Sequence, residues 1–129
     1  MIDPIRAFNG FAVPDIDAAR AFYADVLGVE VTQEDDILQL HLGGGTPTFV
    51  YPKPDHQPAT YTILNFPVAD VESAVDELTA KGVAFERYEG TPIETDEKGV
   101  FRGGGPLIAW FTDPAGNVLS VIETEGSPG

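Results

Sequence analysis

An internal repeat limits the fold of this chain more than any other feature. Val13-Pro14-Asp15-Ile16 is echoed by Val68-Ala69-Asp70-Val71, so the aspartates at positions 15 and 70 are 55 residues apart. Each aspartate is a typical helix N-cap, and each precedes apolar residues at helical spacing. These are Ile16, Ala19 and Tyr23 in the first copy and Val71, Ala74 and Leu78 in the second. Because Gly28 and Gly82 are suited to helix ends, the repeat predicts two equivalent helices.

Extended segments rich in β-branched and aromatic residues surround each predicted helix. In the first copy they are residues 5–13 before the helix and 30–34, 37–42 and 48–51 after it. In the second copy they are residues 61–68 before the helix and 84–88, 107–112 and 118–122 after it. The order βαβββ, written twice, predicts an α+β fold.

The two copies are predicted to form one domain, because a half of this size buries too little surface to be stable alone. Module one is predicted at residues 1–52, a proline-containing linker at 53–59, module two at 60–125 and a disordered tail at 126–129. Residues 113–117, Asp-Pro-Ala-Gly-Asn, predict a hairpin turn in module two.

Charge and composition exclude several functions. The net charge of −14 disfavours binding to nucleic acid, because a polyanion is repelled by most of such a surface. The absence of cysteine excludes disulfides, thiolate catalysis and cysteine-based metal sites. No apolar run is long enough for a membrane span, and residues 1–6 do not resemble a secretion signal. A cytoplasmic protein without a membrane partner is expected.

Two motifs together resemble those of the vicinal oxygen chelate superfamily. Val-x-Asp-x-x-x-Ala-x-x-Phe-Tyr-x-x-x-Leu-Gly occupies residues 13–28, and Asp-Pro-x-Gly-Asn occupies residues 113–117. This superfamily includes glyoxalases, bleomycin-resistance proteins and extradiol dioxygenases. The resemblance implies that the two modules form a curved eight-stranded mixed sheet around a cleft, and that the protein is a homodimer. It does not identify the activity, because this fold supports many chemistries.

The resemblance also implies where a divalent cation would bind in the metal-dependent members. Their ligands are His or Gln on the first strand of each module and Glu or His on the last. In this sequence the corresponding positions are Phe8, Val50, Ile63 and Ser120, none of which is a typical metal ligand. We therefore predict no metal and no other cofactor.

An apolar floor in the cleft favours a small apolar or aromatic ligand, and the acidity is compatible with a cationic one. The predicted ligand-binding residues are Phe8, Val50, Tyr51, Ile63, Asn65, Phe101, Arg102, Trp110 and Ser120. Each aromatic residue among them also fits ordinary core packing. Residues 89–106, which contain three consecutive glycines, fit either a lid over the cleft or an ordinary loop.

Three hypotheses for function remain open. The first is a metal-independent binding protein similar to bleomycin-resistance proteins. The second is a lyase, isomerase or dioxygenase of the same superfamily whose metal has unconventional ligands, for example His41, Asn65 and Glu123. The third is an accessory module that acts only through protein contact. No catalytic set is recognisable in the sequence, so the catalytic residues stay unknown.

Overall fold

Two four-stranded mixed sheets, one from each copy of the repeat, form the framework of the fold. A computed structural model describes residues 2–43 and 45–124, so the predicted tail at 126–129 lies outside the described residues. The chain divides into two compact units, Met1–Gln57 and Pro58–Gly129, which contain module one and module two respectively. The predicted α+β fold of two βαβββ modules is confirmed.

Four strands and a helix, preceded by a short 3-10 turn, make up the described part of module one. Its elements are β1 (Gly10–Val13), α1 (Ile16–Ala21) continued by a π-helical turn (Phe22–Val26), β2 (Glu30–Glu34), β3 (Ile37–His41) and β4 (Thr48–Pro52). The strand order is β1-β4-β3-β2, with β1 parallel to β4 and the other pairs antiparallel. Asp15 caps α1 as predicted, because its Oδ1 accepts from the Ala18 N–H at 3.1 Å.

The first strand is shorter than predicted. Pro4–Arg6 forms a 3-10 turn, and the Asp3 carboxylate caps this turn by accepting from the Ile5 N–H at 3.2 Å. Proline at the first position favours the turn, because its φ is already suited to a helix. The strand predicted at 5–13 therefore begins only at Gly10, and Phe8 precedes it.

The sheet of module one has one face covered by its own helix. The ring centroids of Phe11 and Tyr23 are 5.8 Å apart, which places Phe11 on this helix face. Phe11 pairs with Val50, and Val50 pairs with Leu38, so all three side chains share that face. By alternation, Tyr51 projects from the opposite face of the sheet.

Module two repeats this arrangement. Its elements are β5 (Thr62–Val68), α2 (Val71–Ala80), β6 (Val100–Phe101), β7 (Ile108–Thr112) and β8 (Val118–Glu123), in the order β5-β8-β7-β6. Asp70 caps α2 as predicted by accepting from the N–H groups of Glu72 and Ser73. Hydrogen bonds from Ser73 are the main reason that the pKa of Asp70 lies below its usual value.

The edge strand of this second sheet differs from the prediction. Residues 84–88 form only an isolated bridge, between Phe85 and Phe111, and the strand that continues the edge is β6. The chain leaves the edge at Tyr88, whose φ is +50°, and returns through a turn closed by Asp96. Two short pieces therefore pair with β7, where the sequence predicted one continuous strand.

The predicted hairpin turn between β7 and β8 is confirmed. Asp113 Oδ1 accepts from the N–H groups of Ala115 and Asn117, each at 2.9 Å, and Asp113 Oδ2 accepts from Asn117 Nδ2 at 3.0 Å. Asp113 and Asn117 are both buried, so these bonds satisfy polar groups that water does not reach. In the described parts of the chain, no helix is long and apolar enough to span a bilayer.

Candidate functional site

One face of the sheet of module two lies against α2, and the opposite face is directed away from this helix. At the start of α2, the Val71 N–H donates to Glu123 Oε1 at 3.2 Å, so Glu123 lies on the helix face. Leu119 and Val121 share this side of β8 and are buried. Ser120 alternates with them and projects from the other face, which we call the distal face of module two.

Three predicted ligand-binding residues form a row across the distal face. Asn65 on β5 pairs with Ser120 on β8, and Ser120 pairs with Trp110 on β7. Because directly paired residues project from the same side of a sheet, all three side chains belong to the distal face. The structure therefore brings together residues that are far apart in the sequence.

Two further rings contact Trp110 and form an aromatic cluster with it. The ring centroids of Tyr88 and Trp110 are 5.3 Å apart, with an edge-on angle of 68°. The ring centroids of Phe101 and Trp110 are 5.9 Å apart, with a tilt of 44°. All three residues of this cluster are half-buried. A partly exposed indole between two rings is a surface on which a planar apolar compound can stack.

A polar pair lies next to this aromatic cluster. The Ser120 hydroxyl donates to Asn65 Oδ1 at 2.5 Å. Ser120 is 0% exposed, whereas Asn65 is exposed. The buried hydroxyl therefore holds an accessible amide in a defined orientation.

Tyr88 is the functional candidate that sequence reasoning missed. Burial, followed by the negative charge of Glu86, raises the pKa of its phenol above the usual value, so the hydroxyl is protonated at neutral pH. Its position at the end of the predicted strand 84–88 could have identified it as a candidate from the sequence. The left-handed backbone that places its ring against Trp110 could not be predicted, because tyrosine does not favour that conformation.

Ile63 and Arg102 are predicted site residues for which the structure gives a different environment. The register of β5 and β8 shifts between Thr62 and Leu64, so Ile63 is the extra residue of a bulge and has no direct cross-strand partner. The Arg102 Nε donates to Asp96 Oδ2 at 2.9 Å, and its Nη2 is 3.0 Å from Glu72 Oε2 on α2. The guanidinium of Arg102 therefore pairs with two carboxylates of the protein, and its ligand role stays a prediction.

The predicted site residues of module one do not share one environment. Phe8 is 64% exposed and its ring centroid is 4.8 Å from that of Phe49. Tyr51 is 43% exposed and projects from the face opposite α1. Val50 is fully buried and lies on the helix face, opposite to Tyr51, and its place in a cleft floor stays a prediction.

The three residues considered as unconventional metal ligands each have a hydrogen-bond partner within the protein. His41 Nε2 is 2.8 Å from Thr32 Oγ1, and Glu123 Oε1 accepts from the Val71 N–H on the helix face. Asn65 Oδ1 accepts from Ser120. Among residues 2–43 and 45–124, no group of three or more His, Cys, Asp or Glu residues is placed to hold a metal ion. Strong ligands are therefore not assembled in the described residues.

Comparisons with known proteins agree on family and fold. The sequence model of the Glyoxalase/Bleomycin resistance protein/Dioxygenase superfamily matches residues 2–121. None of the curated proteins compared with the chain matches it.

Among solved structures, the fosfomycin resistance protein FosX from Listeria monocytogenes has a TM-score of 0.67 at 15% identity, covering 96% of this chain and 95% of that one. TnmS3, an antibiotic binding protein from Streptomyces sp. CB03234, has a TM-score of 0.63 at 24% identity, covering 91% and 94%. Lactoylglutathione lyase from Agrobacterium tumefaciens has a TM-score of 0.61 at 20% identity, covering 94% of each chain. The chain belongs to the Glyoxalase/Bleomycin resistance protein/Dioxygenase superfamily.

Proposed function

We propose that this protein binds a small apolar or aromatic compound without a metal ion. The observation that carries the proposal is the half-buried Trp110 between Tyr88 and Phe101, on the same face as Asn65 and Ser120. Ligand sites are mostly apolar, with a few polar groups that orient the ligand. The distal face of module two has both components.

Stacking on the aromatic cluster supplies the affinity in this proposal. An aromatic contact contributes roughly 0.5–1.5 kcal/mol beyond the area that it buries. The rings of Tyr88 and Phe101 are both inclined to that of Trp110, at 68° and 44°, so they limit the position of a flat ligand. An apolar or aromatic ligand therefore matches this surface better than a sugar or a polyanion.

The net charge supports a ligand that is neutral or cationic. A charge of −14 attracts organic cations to the surface and repels anions. The similarity in fold to the antibiotic binding protein TnmS3 also supports a role in binding a small molecule. Metal independence is supported by the hydrogen bonds that His41 Nε2, Asn65 Oδ1 and Glu123 Oε1 form within the protein.

Equilibrium dialysis with naphthalene probes tests the proposal. We expect 2-methylnaphthalene, 2-acetylnaphthalene and 2-(aminomethyl)naphthalene to bind, and Trp110→Leu to weaken each by about tenfold, which corresponds to the loss of about 1.4 kcal/mol of stacking. Trp110→Phe keeps a ring and should retain most of the affinity. Binding should be the same in EDTA.

Two results contradict the proposal. If no probe binds, or if Trp110→Leu binds as well as the wild type, the aromatic cluster is not the site. If EDTA abolishes binding and a divalent cation restores it, the protein requires a metal, and the lyase or dioxygenase hypothesis replaces this one.

Homodimerisation and a cytoplasmic location are part of the same proposal. Large apolar side chains exposed near the start of module one support self-association. Fractionation of cells that produce the protein tests its location, and recovery in the membrane or secreted fraction would contradict a cytoplasmic role.

A further inference from the structure

We infer that the site selects ligands with an acceptor oxygen, such as an aromatic ketone, through the side-chain amide of Asn65. This inference rests on the proposed function and names the chemical class that the distal face of module two prefers. It assigns two distinct roles. Asn65 contacts the ligand, and Ser120 is a positioning residue that fixes the direction of the amide.

The direction of the amide follows from its bond to Ser120. The Ser120 hydroxyl donates to Asn65 Oδ1 at 2.5 Å, which directs the amide NH2 group away from that contact. Within residues 2–43 and 45–124 the Ser120 hydroxyl has no other hydrogen-bond partner, and Ser120 is completely buried. Rotating the amide by half a turn would leave the hydroxyl proton without its acceptor, and an unmade buried hydrogen bond is costly. The orientation with the NH2 group outward is therefore favoured.

The NH2 group is available to a ligand. Asn65 is exposed, and within residues 2–43 and 45–124 its two amide hydrogens have no hydrogen-bond acceptor. An amide nitrogen is a donor only, so it binds carbonyl, ether or carboxylate oxygens and does not bind ammonium groups. Since the protein is strongly acidic and repels anions, a neutral carbonyl is the acceptor that fits best.

The spacing matches an aromatic ketone. Asn65 and Trp110 are on strands two apart, with Ser120 between them. Neighbouring strands are about 4.8 Å apart, so the two Cα atoms are separated by roughly 10 Å. A fused bicyclic ring with a carbonyl at one end spans a similar distance. Its rings can stack on Trp110 while the oxygen accepts from Asn65 Nδ2.

Substitutions at Asn65 test this inference with the same three probes. Asn65→Asp replaces two donor hydrogens with an acceptor of the same shape. We expect 2-acetylnaphthalene to bind roughly fivefold more weakly to this variant, the effect of losing one neutral hydrogen bond. We expect 2-(aminomethyl)naphthalene to bind more tightly and 2-methylnaphthalene to be unchanged.

Two further variants separate the ligand contact from its positioning. Asn65→Ala should reduce the affinity for the ketone as Asn65→Asp does, but without the gain for the amine. Ser120→Ala keeps the amide and frees its rotation, so it should reduce the difference between ketone and amine without affecting 2-methylnaphthalene. Thermal unfolding of each variant identifies any loss of folding, and Asn65→Asp at an exposed position serves as the folded reference.

The outcomes distinguish this inference from the function on which it rests. If the wild type binds the probes but Asn65→Asp leaves the ratio of ketone to amine affinity unchanged, the inference is overturned and the aromatic binding function stands. If the wild type binds none of the three probes, both are overturned. A fall in ketone affinity with a rise in amine affinity supports both.

Discussion

Gly99 occupies a position where both backbone conformation and space exclude a side chain. Its φ is +92°, and a Cβ built on it would be 2.6 Å from the Cβ of Phe85. This close approach lets the returning chain pass beside Phe85, whose ring contacts Phe111 at a centroid distance of 5.4 Å. Gly99 immediately precedes β6, which carries Phe101 of the aromatic cluster. A single small residue therefore affects where one wall of the proposed site lies.

Substitution of Gly99 should be much more damaging than substitution of Gly82. Both have positive φ, but a Cβ at Gly82 meets nothing within 4 Å. We expect Gly82→Ala to cost about 1–2 kcal/mol, from backbone strain alone. Gly99→Ala should cost about 3 kcal/mol or more, because overpacking against Phe85 is added. Urea unfolding measures both, and equal losses would show that the contact with Phe85 is readily relieved.

Some single residues could be assigned from the sequence and others could not. Asp15 and Asp70 are found as caps because the N-cap interaction is local, within three residues. Trp110, Asn65 and Ser120 were predicted as ligand-binding residues and share the distal face, although their ligand role stays a prediction. The ion pairs of Arg102 could not be assigned, because its acidic partners, Glu72 and Asp96, become its neighbours only after folding.

At the scale of elements, β6 depends on the turn that precedes it. Asp96 Oδ1 accepts from the N–H groups of Lys98 and Val100, each at 2.9 Å, and Asp96 Oδ2 accepts from Arg102. Arg102 and Lys98 also reach Glu72 on α2. A strand of two residues is thus held by side-chain bonds as well as by its pairing with β7. Because β6 has only two residues and depends on these side-chain bonds, alternation of apolar and polar residues in the sequence cannot identify it.

This turn should make part of the stability depend on pH. Burial raises the pKa of Asp96, but hydrogen bonds from Arg102 and from backbone N–H groups outweigh that effect and lower it below the usual value. The stability that Asp96 contributes is therefore complete above about pH 4, the usual pKa in an unfolded chain, and is lost as pH falls through the lower folded value.

The variant Asp96→Asn tests this dependence. Its thermal midpoint should be below that of the wild type at pH 7, and the two midpoints should converge as pH falls through the lowered pKa of Asp96. Glu97→Gln removes a neighbouring exposed charge and should not show this convergence. If Asp96→Asn lowered the thermal midpoint by the same amount at every pH, the Asp96 carboxylate would not be the group responsible for the pH dependence.

At the scale of the whole molecule, a group of large apolar side chains lies exposed near the start of module one, in a chain whose net charge is −14. Ile2, Ile5 and Phe8 are 87%, 89% and 64% exposed. Exposed apolar side chains grouped in one short segment are typical of an association surface. A second copy of the chain is the partner that we propose for it.

Sedimentation equilibrium tests this proposed dimer. We expect a mass of about twice 13.8 kDa for the wild type at micromolar concentrations, and a shift toward the monomer in Ile5→Ser. Ile93, which is 42% exposed in module two, provides the control Ile93→Ser, which should remain dimeric. A monomeric wild type would contradict the proposal.

That the two modules form one domain also stays a prediction. A single unfolding transition in calorimetry would support it.

Periodicity and local chemistry are sufficient to define the repeat, both helix caps, seven of the eight strand positions and the turn at Asp113, because each depends on residues close together in the chain. The residues that make up the aromatic cluster, in contrast, could not be assigned to one cluster from local sequence. Tyr88 joins Trp110 only because a left-handed residue turns the edge of the sheet, and Phe101 joins it only because Asp96 and Arg102 hold a very short strand in place. Those contacts depend on side chains brought together from separate segments, and that information exists only in the folded chain.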